Sequence, residues 1–247
     1  KELLSLKGYN GSVVGQAEVI VNEESLDCDF RVESNDNTHM LFVDGGVNKV
    51  GVGTAAPDTT LEISTGASTT GPILRLSSTP DGSGQTAGAI EFFDLSSSEN
   101  IGAKIDAYTV GASYSHDLRF WTNAATNSGT ATVKMTINSA GNVGVGVTPE
   151  SWVSGFTALQ IGGNAFLASD TAAGASKALH IGHNAYYDST NSRYEYISTD
   201  ESSLYKQYNG THEFYTAASG SADAAITFAT NFKLDSNSRI SLSNNDS

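Results

Sequence analysis

Three times along the chain a tight turn of Gly, Asn, Asp or Ser joins an apolar strand end to a run that alternates apolar with small residues. Val43-Asp-Gly-Gly-Val-Asn-Lys-Val50 opens Val50-Gly-Val-Gly53. Ile137-Asn-Ser-Ala-Gly-Asn-Val143 opens Val143-Gly-Val-Gly146, and Leu234-Asp-Ser-Asn-Ser-Arg-Ile240 opens Ile240-Ser-Leu-Ser243. The first two copies are followed by Pro57 or Pro149 and then by Leu61-Glu-Ile63 or Leu159-Gln-Ile161. The last two are preceded by Leu118-Arg-Phe-Trp-Thr122 and Glu213-Phe-Tyr-Thr216. The spacing of about 95 residues is far longer than the ~20–50 residues of a solenoid repeat. It predicts a partial β module over 1–53 and two full modules over 54–146 and 147–247. A glycine inside a strand costs ~0.5–1 kcal/mol relative to Ala. With period 2, Gly51 and Gly53 share one face, as do Gly144 and Gly146. Close approach of another backbone is the usual reason for such a thin face, and in an oligomer that backbone could belong to a symmetry-related chain. The serines of the third copy show that thinness, not glycine itself, is what is required.

Further short β-rich runs are read as strands: Ala17–Val21, Asp29–Val32, Met40–Val43, Ile73–Leu76, Ala89–Phe93, Lys104–Tyr108 and Thr132–Ile137. Asp44-Gly45-Gly46, Pro80-Asp81-Gly82 and Ala140-Gly141-Asn142 are read as turns. Asn209-Gly210 is the favoured pair for a two-residue hairpin turn. The register it implies pairs Tyr208 with Thr211, Lys206 with Glu213 and Tyr205 with Phe214, which sets a charge pair and an aromatic pair across the strands. Thr148-Pro-Glu-Ser-Trp-Val153 fits either a short capped helix or a proline-directed turn. No long helix is legible. Hydrophobic residues are 38% and charged residues 16%, which suits many short strands with modest cores completed by a partner chain. The expectation is an all-β, elongated protein of tandem modules, either short-stranded sandwiches or intertwined β segments.

A net charge of −14 repels a phosphate backbone and an anionic membrane surface. No apolar run reaches the ~20 residues of a membrane span. Nucleic-acid binding and membrane insertion are therefore not expected. No signal peptide is visible and the chain starts at Lys1, which predicts a fragment or a processed product. Cys28 is the sole cysteine, so stabilisation is expected from oligomerisation and not from a disulfide framework.

Candidate chemistry is sparse. Ser115-His-Asp117 is contiguous, but a triad needs three side chains converging, and consecutive strand residues alternate faces. His180 and His183 stand three apart, which on a strand puts them on opposite faces, so no metal site is expected. Gly51-Val-Gly lacks the third glycine and the βαβ context of a dinucleotide loop, and no cofactor is expected. Asp200, Glu201 and Asp223 read as loop acids; a sugar-cleaving pair is defined by separation in space and cannot be named from order. Asn10-Gly-Ser12 and Asn209-Gly-Thr211 fit the glycosylation pattern, and in a bacterial setting are turns. Seven of the ten tyrosines lie between Tyr186 and Tyr215. Tyr187, Tyr194, Tyr196 and Tyr208, with Trp152, are the candidates for stacking on sugar rings; the competing role is to fill a core poor in Leu and Ile. Trp121 lies in a strand and reads as core.

Phe30-Arg-Val-Glu-Ser34, Thr38-His-Met-Leu-Phe-Val-Asp44, Asn48-Lys-Val-Gly-Val-Gly-Thr54, a proline and Leu61-Glu-Ile63 together resemble tail fibres and related virion proteins of bacteriophages. Members of that family often carry an endosialidase-type intramolecular chaperone domain further along, and none is legible here. The resemblance is strong over residues 15–65 and 117–161, weaker beyond, and carries over no catalytic residue. It implies a homotrimeric, non-enzymatic structural segment of a tail fibre that supports adhesion to the host. The implied partners are other virion tail proteins and a host surface glycan. The implied location is the virion, extracellular after release. The alternatives are a polysaccharide-binding or -degrading tailspike and a capsid decoration protein.

Overall fold

The computed structural model describes residues 4–7, 18–21, 27–66, 69, 71–94, 100–111, 115–124, 131–174 and 176–242. Asn10-Gly-Ser12 and Ala17 fall outside them. The protein is all-β, and the described residues contain no helix. It divides into two compact units, Lys1–Arg75 and Leu76–Ser247.

In the first unit, β1 (Leu4–Lys7) pairs antiparallel with β2 (Glu18–Val21). A separate four-stranded sheet holds β3 (Phe30–Val32), β4 (Leu41–Asp44), β5 (Lys49–Val52) and β6 (Leu61–Ile63) in that order. The first two pairings of this sheet are antiparallel, and β5 with β6 is parallel. Phe42 is its buried apolar residue, with His39 edge-on at 5.3 Å.

The second unit is built on one twelve-stranded sheet. Along the chain its strands are β7 (Thr86–Asp94), β8 (Asn100–Thr109), β9 (His116–Thr122), β10 (Thr132–Ile137), β11 (Val143–Val145), β12 (Phe156–Ile161), β13 (Ala165–Asp170) and β14 (Ala178–His183). A small hairpin of β15 (Tyr186–Tyr187) and β16 (Tyr194–Glu195) then leaves the sheet. The sheet resumes with β17 (Asp200–Tyr208), β18 (Thr211–Gly220), β19 (Ala229–Leu234) and β20 (Ile240–Leu242). Neighbours in the chain are neighbours in the sheet, so almost all contacts are local hairpins. The Asn209-Gly210 hairpin has the expected register, Tyr208 to Thr211, Lys206 to Glu213 and Tyr205 to Phe214.

The parallel pairs explain the Val-Gly-Val-Gly segments. β5 lies parallel to β6 with Val50 opposite Leu61 and Val52 opposite Ile63. β11 lies parallel to β12 with Val143 opposite Leu159 and Val145 opposite Ile161. The connections, 53–60 and 146–155, are shorter than the ~12 or more residues such a crossover usually takes. Both begin at a glycine in the left-handed region, Gly53 (φ 79°) and Gly146 (φ 72°), which turns the chain out of the sheet. Both fold back over the preceding glycine. A Cβ on Gly51 would stand 2.6 Å from the Thr54 carbonyl oxygen, and one on Gly144 2.2 Å from that of Val147 and 2.7 Å from Pro149 Cδ. In both, the amide after the proline donates to a side chain of the returning strand: Asp58 N to Glu62 Oε2 (2.7 Å) and Glu150 N to Gln160 Oε1 (3.0 Å). Gly53 and Gly146 lie just past their strands, and the backbone that approaches each inner glycine belongs to the same chain.

Two readings differ from the structure, and one open alternative is decided by it. Ile73–Leu76 forms no strand, and Ile73 and Leu74 are 77% and 65% exposed; β propensity yields a strand only where a ladder partner exists. Thr148–Val153 is the proline-directed turn and not the helix, because Trp152 bridges to Asp188 and Val153 N donates to the Tyr187 carbonyl. Trp121 is half-buried: its Nε1 donates to Asp106 (3.0 Å) and Lys104 lies over its ring. Asp106 is buried and takes both Arg119 Nε (2.9 Å) and Nη2 (2.7 Å), with Lys104 at 3.1 Å. Burial pushes its pKa up, but the hydrogen bonds from Arg119, Trp121 and Lys104 outweigh that and hold it below the usual carboxylate range.

Gly144→Ala is expected to destabilise the second unit by about 1–3 kcal/mol through overpacking. Gly163→Ala, where a Cβ meets nothing within 4 Å, should change stability by less than ~0.5 kcal/mol. Urea unfolding of the two variants beside the parent checks this; equal losses would show that the crossover does not press on Gly144.

Candidate association face

A sheet strand turns alternate side chains to opposite faces, so the ladder registers sort the second unit into two surfaces. One row crosses eleven strands: Ala107, Leu118, Ile137, Val143, Leu159, Leu167, Ile181, Tyr205, Phe214, Phe232 and Leu242. Beside it run Ile90, Ile105, Phe120, Met135, Val145, Ile161 and Ala165 on the side of β7. On the other side run Leu179, Gln207, His212, Leu234 and Ile240. None of these residues is Asp, Glu, Lys or Arg. Their exposure is high for such side chains: 40% at Leu118, 46% at Ile181, 45% at Phe214 and 73% at Leu242. Tyr205 stacks on Phe214 at 4.7 Å, and Phe214 meets Phe232 edge-on at 5.4 Å, so the aromatics form a ladder along the sheet.

The opposite face carries the charges and the core. Near β7–β10 it holds Glu91, Lys104, Asp106, Asp117 and Arg119. Near β12–β19 it holds Asp170, Lys206, Glu213 and Lys233, with Lys233 Nζ 2.7 Å from Glu213. Over its middle lie the 146–155 crossover, the β15–β16 hairpin and the segment before β19. They bury Trp152, Ala158, Phe166, Ala168, Ala185, Tyr186 and Leu204 as one cluster. The middle of the sheet is therefore covered on one side, and among the described residues no layer covers the other.

The residues named as possible sugar contacts lie mostly in this covered cluster. Trp152 and Tyr196 are buried; Trp152 packs on Phe166 at 5.1 Å, and the Tyr196 hydroxyl donates to the Ala218 carbonyl (2.5 Å). Tyr187 stacks on Phe156 and donates to the Ser192 carbonyl (2.6 Å). Tyr194 packs on Phe228 and Tyr187 with its hydroxyl 2.7 Å from His180 Nδ1, and burial raises its pKa. Tyr208 alone lines an open cleft of about 370 Å³, with Lys177, Gln207, Asn209, Thr211 and His212. Its neighbour Lys206 lies over the Tyr208 ring at 4.3 Å.

The other candidates are placed as follows. Asp117 and His116 point to opposite faces of β9, and Asp117 Oδ1 accepts from Ser139 N (2.9 Å), holding the β10–β11 turn. His180 and His183 also point to opposite faces of β14. Asp223 lies 3.3 Å from the Tyr186 hydroxyl, which also reaches Glu195 at 3.2 Å. Asp200 and Glu201 are exposed at the start of β17. Cys28 is half-buried and free. Among the described residues no group of three His, Cys, Asp or Glu could hold a metal ion, and no helix is long and apolar enough to cross a membrane.

His180 is a titration probe of the covered face. Burial, and secondarily Lys206, lower its pKa to about 4, against a partial opposing pull from Asp170. The unfolded chain thus takes up the proton first. Stability should fall as pH drops from about 6.5 to about 4 and change no further through this group below that, by up to about 3 kcal/mol in total. His180→Gln should flatten that window in urea unfolding; an unchanged slope would place the imidazole in water.

No protein-family model matches the chain, and no curated protein matches it. Among solved structures it is similar to the carboxy-terminal domain of the bacteriophage T5 L-shaped tail fiber with its intramolecular chaperone domain. The TM-score is 0.38 and the identity 8%, over 73% of this chain and 61% of that one. The chain thus spans less than two thirds of that structure's length, and a likeness at this level carries no argument.

Proposed function

We propose that the chain is a non-enzymatic structural segment of a phage tail fibre that works as a homotrimer. The observation that supports this most is the apolar rows of the uncovered sheet face, which hold no Asp, Glu, Lys or Arg; Glu201, near the start of β17, lies on this face outside them. A chain of net charge −14 repels its own copies, and rows free of Asp, Glu, Lys and Arg are where copies can meet. Strands spaced ~4.8 Å apart and side-chain rows ~7 Å apart give eleven strands, each crossed by two rows, on the order of 700 Å². A stable interface buries ~800 Å² on each partner. Three such faces turned inward would form a stiff apolar shaft with the charged faces outward; the Tyr208 cleft, lined also by Leu179, Gln207 and His212, lies at the border of the two faces. The number three and the virion setting come from the resemblance of Asn48–Thr54 and its surroundings to phage tail fibres. In this reading the chain joins other tail proteins, bears no catalytic residue and holds a host-binding tip in place. The second reading, a polysaccharide-binding protein, has the cleft at Tyr208 as its support.

Sedimentation should give a mass three times that of the chain. Ile181→Glu and Phe214→Lys should each release monomer while far-ultraviolet circular dichroism stays that of a β protein. A well-folded parent monomer at micromolar concentration would reject the proposal. Incubation with host surface polysaccharide should release no reducing ends. Glycan binding that disappears in Tyr208→Ala would favour the second reading.

A further inference from the structure

We infer that the outer edge of β20 is an acceptor for a parallel strand supplied by another polypeptide, a segment with apolar residues at alternate positions. β20 is built as β5 and β11 are. Leu234 and Phe232 face Ile240 and Leu242 across the ladder in the register that Ile137 and Met135 hold to Val143 and Val145. The turns match as well: Asn138 N donates to the Asn142 carbonyl (2.9 Å) and Asp235 N to the Arg239 carbonyl (3.0 Å). In the two earlier copies the outer edge is filled. Val50 N donates to the Thr60 carbonyl (2.9 Å), the Val52 carbonyl accepts from Ser64 N (2.8 Å), and the Val145 carbonyl accepts from Gly162 N (2.8 Å). By equivalence, Ile240 N and the Leu242 carbonyl point outward from β20. No described strand lies on that edge.

The residue between them speaks against one source of the filling strand, a tight crossover of the chain itself. At Gly51 and Gly144 the chain's own crossover folds over the strand, so close that a Cβ would collide with a carbonyl oxygen. β20 has Ser241 at that position. A serine Cβ bars a crossover of this kind, yet leaves the edge amides and carbonyls untouched. A strand can still pair there if it arrives without folding over β20, as a strand from a second polypeptide does. Leu159 and Ile161 show the side chains that suit: paired with Val143 and Val145, they continue the uncharged rows. On β20 the same residues would shelter Ile240 and Leu242, which are 65% and 73% exposed. Strand addition of this type draws affinity from main-chain hydrogen bonds and selectivity from alternate side chains.

The test is amide hydrogen exchange on the full chain, with and without a synthetic peptide of residues 155–163. A second arm appends the same peptide to the chain through a long Gly/Ser linker, which raises its local concentration. Exchange at Ile240 is expected to slow by about tenfold or more with the peptide, as for an amide newly paired in a ladder. The effect should vanish for peptides with Lys in place of both Leu159 and Ile161, and for Leu242→Pro, which removes an outward N–H. Unchanged exchange in both arms overturns the inference. So does slowing that grows with protein concentration when no peptide is present, because the occupant is then a second copy's own edge.

Discussion

The twelve-stranded ladder imposes the constraint on which the second unit depends. Each strand must present two faces, and among the described residues apolar side chains from outside the sheet close over one. Trp152, Tyr186, Tyr194 and Phe228 come from loops and from the β15–β16 hairpin, and they close over Ala158, Phe166 and Leu204. Among the described residues nothing similar lies over Ile181 and Phe214. Ionised groups are sorted accordingly. Asp106 and Arg119, or Glu213 and Lys233, neutralise one another on the face that also holds the core. The apolar rows of the uncovered face are left with Leu, Ile, Val, Phe, Met, Tyr, Ala, Gln and His, and with no Asp, Glu, Lys or Arg whose charge would be stranded on removal from water.

The crossovers between parallel strands depend on a few atoms. A left-handed glycine turns the chain, an inner glycine leaves room for the returning loop, and a proline shapes it. A Glu or Gln side chain then satisfies the next amide, as Glu62 does for Asp58 and Gln160 for Glu150. Each of these residues compensates for a connection too short to hold a helix. The same hairpin without the inner glycine, at β20, keeps the strand and leaves its outer edge bare among the described residues.

Much of the local structure was legible before the structure. Asn209-Gly210 determines its hairpin because a type I′ turn admits few other residues, and cross-strand charge and aromatic pairs then specify the register. The alternation in Thr132–Ile137 shows that β10 is two-faced. Less was legible at Ile73–Leu76, where propensity had no partner strand, and at Trp121, whose ring lies among charges. The candidate sugar-stacking tyrosines separate only in three dimensions. Tyr194 and Tyr196 are two apart in a strand-like segment, yet one packs on Phe228 and the other bonds to Ala218, because β15–β16 folds back on the sheet.

Residue order alone determined that the chain is all-β, where its hairpins turn, and that it would not be drawn to phosphate backbones. These properties are local, set by turn chemistry, by period-2 alternation and by net charge. Tertiary structure decided what lay between distant segments: that Leu61 and Leu159 return parallel to the glycine strands, that the glycines make room for the chain's own loop, and that Leu118 and Phe214 share a face. No local pattern encodes which of two apolar faces receives a cover, since that depends on loops arriving from far along the chain.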